Sequence, residues 1–179
     1  MSRPRCERCL RAQDHCLCPL IPHLQSRTRV VVLQHPSERL HALNTARLAT
    51  LGLVNAELRV GEVFADLDQL LATPGYRPVL LFPGEQAQAL VGYAQEGCEL
   101  PFMLIVPDGT WRKARKLLYL NPLLAQLPRV TLGQVLPSRY RLRKAPEAGA
   151  LSTLEAVVQG LNVLEAPGCF DQLLRPFEA

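Results

Sequence analysis

The sequence is poor in aromatic residues and has no long apolar run. Phe, Trp and Tyr make up 6% of its 179 residues, and Trp111 is the only tryptophan. No stretch reaches the ~18 consecutive apolar residues that a membrane-spanning helix needs. The opening MSRPRCERC also lacks the apolar segment of a secretory signal. We therefore expect a soluble cytoplasmic protein with no membrane partner.

Glycine-rich phosphate-binding motifs are absent as well. Neither G-x-G-x-x-G nor G-x-x-x-x-G-K-[ST] occurs, so a Rossmann dinucleotide site or a P-loop NTPase is not supported. Neither PSER nor LSTLE is the nucleophile elbow of a serine hydrolase. The spacing of His35, Glu38 and His41 fits no standard set of catalytic metal ligands.

Apolar residues make up 48% of the chain. This is enough to bury the core of one domain with a small appendage. Periodicity predicts strands at 28–34, 56–60, 78–84, 102–106 and 129–132. It predicts helices from Leu40 to Leu51 with Gly52 as C-cap, at 66–72, 85–95 and 110–118, and after Ser152. Strands alternating with helices predict an α/β fold with a mainly parallel sheet. Ligands would gather beyond the carboxyl ends of the strands, where FPGE and PDGTW fall.

Four cysteines near the N-terminus have the spacing C-x2-C-x6-C-x-C, formed by Cys6, Cys9, Cys16 and Cys18. Four thiolates this close, in a chain with no secretory signal, favour one tetrahedral zinc over disulfides. Its closed four-sulfur shell would make the zinc structural. His15 in place of one cysteine, or four unligated or redox-active thiols, are the alternatives. We expect Cys98 and Cys169, which have no matching partners, to be packing residues.

The net charge is only +4, but most of the 20 Lys and Arg residues fall in three short groups. These groups are Arg3, Arg5, Arg8 and Arg11; Arg112, Lys113, Arg115 and Lys116; and Arg139, Arg141, Arg143 and Lys144. If folding brings them together, they form a positive surface suited to a polyanion. Three separate solvated surfaces are the alternative, which clustering alone slightly favours.

The segment PFMLIVPDGTWRKARKLL (101–118) joins an apolar strand to a basic helix through the turn Asp108-Gly109. We expect Trp111, Ala114, Leu117 and Leu118 to share one face of this helix. At such a turn Asp108 or Thr110 is most often a helix cap. The alternative is that Asp108 acts as a general base beside a pocket whose wall is Trp111. The turn by itself favours the capping role.

Taken in order, the motifs resemble those of the DTW-domain family, the tRNA-uridine aminocarboxypropyltransferases. The resemblance covers almost the whole chain: the cysteine motif (6–18), HPSE (35–38), NTARLA (44–49), LFPGE (81–85), DGTW (108–111), YRLRK (140–144) and STLEA (152–156). Asp108, Thr110 and Trp111 fill the D-x-T-W signature that names the family.

The resemblance implies transfer of a 3-amino-3-carboxypropyl group from S-adenosylmethionine to N3 of a tRNA uridine, leaving 5′-methylthioadenosine. In bacterial relatives this uridine lies in the variable loop. The resemblance also implies a SPOUT-like fold whose C-terminal trefoil knot holds the cofactor.

Site residues follow from the same resemblance. Asp108 would take the N3 proton, with Thr110 and Trp111 in the same catalytic motif. Three segments would hold the cofactor: Phe82, Pro83, Gly84 and Glu85; Ile105, Val106 and Pro107; and Leu151, Ser152, Thr153 and Glu155. Ser152 and Thr153 would hold the carboxylate of the transferred group, whereas Glu155 would either complete a capping box or meet its amino group. The tRNA contacts would be Arg112, Lys113, Arg115, Lys116, Arg139, Tyr140, Arg141 and Arg143.

We therefore expect a zinc knuckle at 1–24 and a catalytic domain at 25–179. Two other functions stay open. One is a SPOUT-like RNA methyltransferase, which would release S-adenosylhomocysteine, and the other is a zinc-containing RNA-binding module without catalysis. The oligomeric state is left open.

Overall fold

The computed structural model shows one parallel sheet with helices on both faces, and it describes residues 3–41, 44–95, 99–132 and 152–177. The strands are β1 (Arg29–Gln34), β2 (Ala56–Val60), β3 (Arg77–Leu81), β4 (Gln88–Ala89), β5 (Phe102–Asp108) and β6 (Arg129–Thr131). They lie in the order β2-β1-β5-β3-β6-β4, and every pair is parallel. The predicted parallel α/β sheet with flanking helices is confirmed.

The described helices are α1 (Ala46–Gly52), α2 (Leu67–Leu71), α3 (Leu90–Ala94), α4 (Trp111–Leu120), α5 (Pro122–Ala125) and α6 (Thr153–Leu164). Short 3₁₀ helices occur at Gln13–His15, Cys18–Leu20, Pro36–Glu38 and Asp171–Phe177. Within the described ranges, no helix combines the length and the apolar character needed to cross a bilayer.

The core has two halves, one on each face of the sheet, because side chains of a strand point alternately to opposite faces. Val30 and Val32 of β1 pack on the side of α1, α3 and α6. Val31 and Leu33 of the same strand pack on the side of α2, α4 and α5. This burial on both faces explains why β1 reads as a continuous apolar run in the sequence.

The helix predicted from Leu40 begins later, at Ala46. Pro36–Glu38 forms a separate 3₁₀ helix, and the side-chain oxygen of Asn44 accepts the backbone N–H of Ala46 at 3.0 Å. An asparagine that satisfies a first-turn N–H in this way marks the start of a helix. Gly52 is the last helical residue rather than the C-cap, which is Leu53.

The strand predicted at 78–84 ends at Leu81, and the helix predicted at 85–95 is helical only from Leu90 to Ala94. Gln88 and Ala89 instead form β4 and pair with β6, an interaction between distant segments that local periodicity does not reveal. β5 is longer than predicted and continues through Pro107 to Asp108. Proline is tolerated there because β3 pairs with β5 only as far as Ile105.

The strands end at a common side of the sheet, which we call the carboxyl edge. The β1–β5 register places Gln34 directly opposite Asp108 at this edge. The loop after β3 begins at Phe82, and α4 starts two residues beyond the turn residue Gly109. The fold therefore brings FPGE and PDGTW to one edge, as the strand pattern predicted.

Candidate active site and cysteine cluster

The Asp108 carboxylate is the centre of a buried hydrogen-bond network at the carboxyl edge. Its Oδ2 accepts from Gln34 Nε2 at 3.0 Å and from Asn44 Nδ2 at 2.9 Å. Its Oδ1 accepts from the Thr153 hydroxyl. Asp108 is only 5% exposed, so these donors take the place of water around the charge. We call Gln34, Asn44, Asp108 and Thr153 the Asp108 network.

The roles of the turn residues are divided between Asp108 and Thr110. The Thr110 side chain accepts the backbone N–H of Lys113 at 3.3 Å and caps α4. Asp108 is therefore not the helix cap. A carboxylate has about four acceptor sites, and the described donors use three of those on Asp108. One acceptor site, on Oδ1, is left for a ligand.

Gly109 gives the turn its tight geometry. Its φ is +155°, a conformation that residues with side chains rarely adopt. A Cβ at this position would lie 3.1 Å from the Cβ of Lys113 and 3.5 Å from the Cβ of His35. Glycine thus allows α4 to start immediately beside the end of β1.

Sequence reasoning missed Gln34 and Asn44 as site residues. Gln34 is 1% exposed, and within the described chain its Oε1 has no hydrogen-bond partner. Its Nε2 is held by Asp108 and by Asn44 Oδ1, which fixes the orientation of the amide. An unpaired buried carbonyl costs about 1–3 kcal/mol, so this orientation of the amide depends on the two bonds made by its Nε2. A polar residue closing an apolar strand was the signal available in the sequence.

Trp111 presents an aromatic surface beside the loop after β3. The helix face predicted to include it is buried at Ala114, Leu117 and Leu118, but Trp111 itself is 44% exposed. Its ring meets Phe82 edge-on, with centroids 5.7 Å apart. Trp111 is partly exposed although it begins the helix face that Ala114, Leu117 and Leu118 continue, because its ring lies at the first turn, against the neighbouring loop.

The predicted cofactor residues of the first two segments differ in accessibility. Pro83, Gly84 and Glu85 are exposed, whereas Phe82 is buried beneath Trp111. Ile105 and Val106 lie inside β5 and point into opposite halves of the core. These two side chains cannot line a pocket at the edge, so a ligand there would meet Pro107 and the loop.

The third predicted segment begins α6, and its polar groups are largely engaged. Ser152 and Glu155 form the predicted capping box: Ser152 Oγ accepts from the N–H of Glu155, and Glu155 Oε1 accepts from the N–H of Ser152. The N–H of Leu154 donates to Thr45 Oγ1 at 3.1 Å, and Thr153 donates to Asp108. Leu151 lies outside the described residues.

The four cations of α4 fall into two classes. Lys113 Nζ lies 3.4 Å from Glu38 Oε1, and Lys116 Nζ lies 3.0 Å from Glu62 Oε1. Arg112 and Arg115 are exposed and form no ion pair within the described ranges. Among the predicted RNA contacts, these two arginines are therefore the charges on α4 available to a phosphate. Arg139, Tyr140, Arg141 and Arg143 lie outside the described residues.

Glu62 also contacts the HPSE motif, since its Oε1 lies 2.8 Å from His35 Nε2. The Lys116 ammonium, followed by His35, lowers the pKa of Glu62 below its ordinary value. The loop after β2 is thus held to α4 by Lys116 and to the residue after β1 by His35.

The Cys6, Cys9, Cys16 and Cys18 sulfurs lie within 4.8 Å of one another. The Cys6–Cys18 and Cys9–Cys16 separations are 3.7 and 3.8 Å. Tetrahedral Zn–S bonds of about 2.3 Å place sulfurs roughly 3.8 Å apart, so the cluster fits a metal ion of this kind. His15 is exposed and lies near Asp14 rather than in the cluster.

The thiols also have the electrostatics of a cation site. Backbone N–H groups of Cys9 and Arg8 lower the pKa of Cys6 to about 6. Burial, followed by the neighbouring thiols, raises the pKa of Cys18 to about 12. The cluster therefore resists carrying four thiolates together unless a cation balances them.

The two remaining cysteines take no part in this cluster. Cys169 is exposed, so the expectation that it is a packing residue is wrong. Cys98 lies outside the described residues.

The cysteine segment is anchored to the chain that carries Asn44. Arg5 Nη1 donates to the Leu40 carbonyl at 3.3 Å, and Arg11 Nη2 donates to the Asn44 carbonyl at 3.4 Å. Cys9 is buried in the half of the core that also contains α1. Arg11, whose carbonyl accepts the N–H of Cys6, thus links the cluster to Asn44 of the Asp108 network.

Comparison with known proteins gives a consistent set of matches. The profile of the DTW domain family matches residues 3–179. The tRNA-uridine aminocarboxypropyltransferase 2 of Mus musculus is 34% identical, over 99% of this chain and 62% of the relative. The Drosophila melanogaster protein of the same name is 36% identical over 97% of this chain and 72% of its own length. The tRNA-uridine aminocarboxypropyltransferase A of Arabidopsis thaliana is 28% identical over 93% of this chain and 74% of its own length.

The chain thus spans less than two thirds of the mouse relative. No solved structure gives a significant match.

Replacing Thr153 by Val should destabilise the protein by about 1.5–3 kcal/mol, because a buried charged acceptor loses a donor. Chemical denaturation measures this change. Thr50→Val is the matched control, since the bonds that the Thr50 hydroxyl makes to described residues go to carbonyls of its own helix. Equal losses of stability in the two variants would show that the bond from Thr153 to Asp108 contributes no more than the hydroxyl bonds of Thr50.

Replacing Cys9 by Ser should remove the bound metal and lower the melting temperature, because Cys9 is both a sulfur donor and a core residue. Elemental analysis should find one metal ion per wild-type chain. Cys169→Ser should keep the metal and the melting temperature. A metal-free wild type of full stability would contradict the metal assignment.

Proposed function

The chain belongs to the DTW domain family, and on this basis we propose that it transfers a 3-amino-3-carboxypropyl group to a uridine of tRNA. The observation that carries the proposal is the similarity to proteins named tRNA-uridine aminocarboxypropyltransferase, at 34% and 36% identity over nearly the whole chain. S-adenosylmethionine supplies the group and leaves as 5′-methylthioadenosine. The acceptor is N3 of the uridine, in the variable loop.

Asp108 is the proton acceptor in this proposal. Uridine N3 is a poor nucleophile until its N–H bond breaks. A carboxylate within hydrogen-bond reach takes that proton as N3 bonds to the γ-carbon of the transferred group, and the bond from this carbon to the sulfonium sulfur breaks, so the sulfur leaves with the electron pair as 5′-methylthioadenosine. Gln34, Asn44 and Thr153 hold the carboxylate in one orientation, which leaves its fourth acceptor site for the N3 proton. Thr110 supports this geometry by fixing the start of α4.

Trp111 is the proposed platform for the target base. A uridine must leave its stack to expose N3, and an exposed indole stacks on any base. One side of this platform is formed by the loop of Phe82, Pro83, Gly84 and Glu85. The start of α6 lies near Asp108, to which Thr153 donates a hydrogen bond. We propose that the cofactor binds between the two through backbone atoms of Ile105, Val106 and Pro107, with Leu151, Ser152, Thr153 and Glu155 bordering it.

We assign phosphate contacts chiefly to Arg112 and Arg115 on α4. Lys113 and Lys116 belong to the same basic face but are held by Glu38 and Glu62. The segment with Arg139, Tyr140, Arg141 and Arg143 would extend this RNA-binding surface.

The cysteine cluster completes the proposal. We propose that Cys6, Cys9, Cys16 and Cys18 hold zinc in a structural knuckle of residues 1–24, on a catalytic domain of residues 25–179. The ion would bind the four thiolates and leave no open position for chemistry. A SPOUT-like knot in the C-terminal part and a cytoplasmic location also belong to the proposal.

Wild-type protein incubated with S-adenosylmethionine and unmodified tRNA should yield aminocarboxypropyluridine and 5′-methylthioadenosine, detected by mass spectrometry. Asp108→Asn should reduce turnover by at least about a hundredfold, the typical contribution of a general base, with tRNA affinity unchanged. Because asparagine also disturbs the network, Thr153→Val serves as the control that weakens the network but keeps the carboxylate.

Thr153→Val should retain much more activity than Asp108→Asn. Equal activity of Asp108→Asn and wild type would contradict the proton-acceptor role. S-adenosylhomocysteine with a methylated base would instead identify a methyltransferase.

Replacing Arg115 by Gln should weaken tRNA binding and lower the slope of log affinity against log salt by about 1, the effect of one lost phosphate contact. Lys116→Gln should change the slope less, because this ammonium already has Glu62 as its partner. Binding titrations at several salt concentrations measure both slopes. If Lys116→Gln lowered the slope more than Arg115→Gln, the distinction between free and paired cations on α4 would be wrong.

A further inference from the structure

Arg129 is a cation at the carboxyl edge for which neither the sequence motifs nor the proposed mechanism has a use. It begins β6 and lies in register with Leu80 of β3. Its guanidinium carbon lies 5.9 Å from the centroid of the Phe82 ring. Arg129 therefore reaches the loop after β3, the same loop that contacts Trp111.

Gly84 makes room for the guanidinium. A Cβ built on Gly84 would lie 2.8 Å from Arg129 Nη1, closer than real Cβ contacts allow. The arginine head thus lies directly against the loop backbone, beside the exposed residues Pro83 and Glu85. A ligand on this loop would come within reach of its N–H donors.

The Arg129 side chain is partly buried, and within the described ranges it forms no ion pair or side-chain hydrogen bond. The guanidinium lies near the Phe82 ring and the backbone of Gly84. A guanidinium in this state keeps its donors available for a carboxylate, which it can bind through two parallel N–H···O bonds.

The other candidate groups for an anionic ligand are either engaged or, like Arg112 and Arg115, assigned above to tRNA phosphates. Ser152 and Thr153 hydrogen-bond to Glu155 and Asp108. On α4, Lys113 and Lys116 pair with acids. The aminocarboxypropyl group nevertheless carries a carboxylate, which loses part of its hydration when it is bound beside Trp111 and needs a charged partner there.

We propose that Arg129 binds the carboxylate of the aminocarboxypropyl group of S-adenosylmethionine. This inference rests on the proposed function and names a binding residue for it. Fixing the carboxylate on β6 would hold the transferred arm against the Phe82–Glu85 loop and direct its reactive carbon toward Asp108 and Trp111.

The test is calorimetric binding of two ligands, without tRNA: S-adenosylmethionine and its decarboxylated analogue, which keeps the amine and the sulfonium but lacks the carboxylate. Arg129→Gln should weaken the binding of S-adenosylmethionine about tenfold or more, the effect of a lost charged hydrogen bond. The affinity for the analogue should change by less than about twofold. Arg129→Lys, which keeps the charge but not the paired donors, should fall between wild type and Arg129→Gln.

The matched control is Arg77→Gln. Arg77 also packs on aromatic rings, 4.7 Å from the centroid of Phe102 and 5.3 Å from that of Tyr93. It begins β3 and so lies at the opposite edge of the sheet. Its replacement should leave the affinity for both ligands unchanged.

Equal weakening of both ligands by Arg129→Gln would overturn the proposal, because Arg129 would then only support the loop. Unchanged affinity of Arg129→Gln for S-adenosylmethionine would also overturn it, and weaker tRNA binding by this variant in a separate titration would then indicate a phosphate contact. Wild type that binds neither ligand would refute the proposed cofactor itself, whereas intact wild-type binding with an unaffected Arg129→Gln variant would refute the role of Arg129 alone.

Discussion

The Asp108 carboxylate is hydrogen-bonded to three separate elements, and the arrangement of the carboxyl edge depends on these bonds. Gln34 ends β1, Asn44 precedes α1, and Thr153 begins α6. A buried carboxylate is tolerated only when donors replace its lost hydration. The same requirement aligns the ends of β1 and β5 and holds α6 against the sheet, so the charge proposed to act in the reaction also orders its surroundings.

The cysteine cluster supports this arrangement from the other side. Arg11 holds the backbone of Asn44, while the side chain of Asn44 bonds to Gln34 and Asp108. A metal at the cluster would therefore contribute, through Arg11, to the position of Asn44, one of the donors to the carboxylate. Its effect on the site would be one of positioning.

Features that depend on local spacing could be predicted from the sequence. The cysteine cluster follows from spacing along the chain, and the Ser152–Glu155 capping box from a separation of three residues. Contacts between particular side chains of distant segments could not be predicted. The exposure of Trp111, the donors Gln34 and Asn44, and the pairing of Lys113 and Lys116 all depend on residues from other elements. Periodicity reports which face of an element is buried, but not its partner.

The partners of Asp108 are also far apart along the chain. The bonds to Gln34, Asn44 and Thr153 span 74, 64 and 45 residues. Such contacts require the closure of long loops, whose entropy cost is met before the contacts contribute any stability. A chain with only its local helices formed therefore has the D-x-T-W residues in sequence but not the hydrogen-bonded carboxylate. The site is a product of the completed fold, and no fragment of a growing chain that ends before α6 contains it.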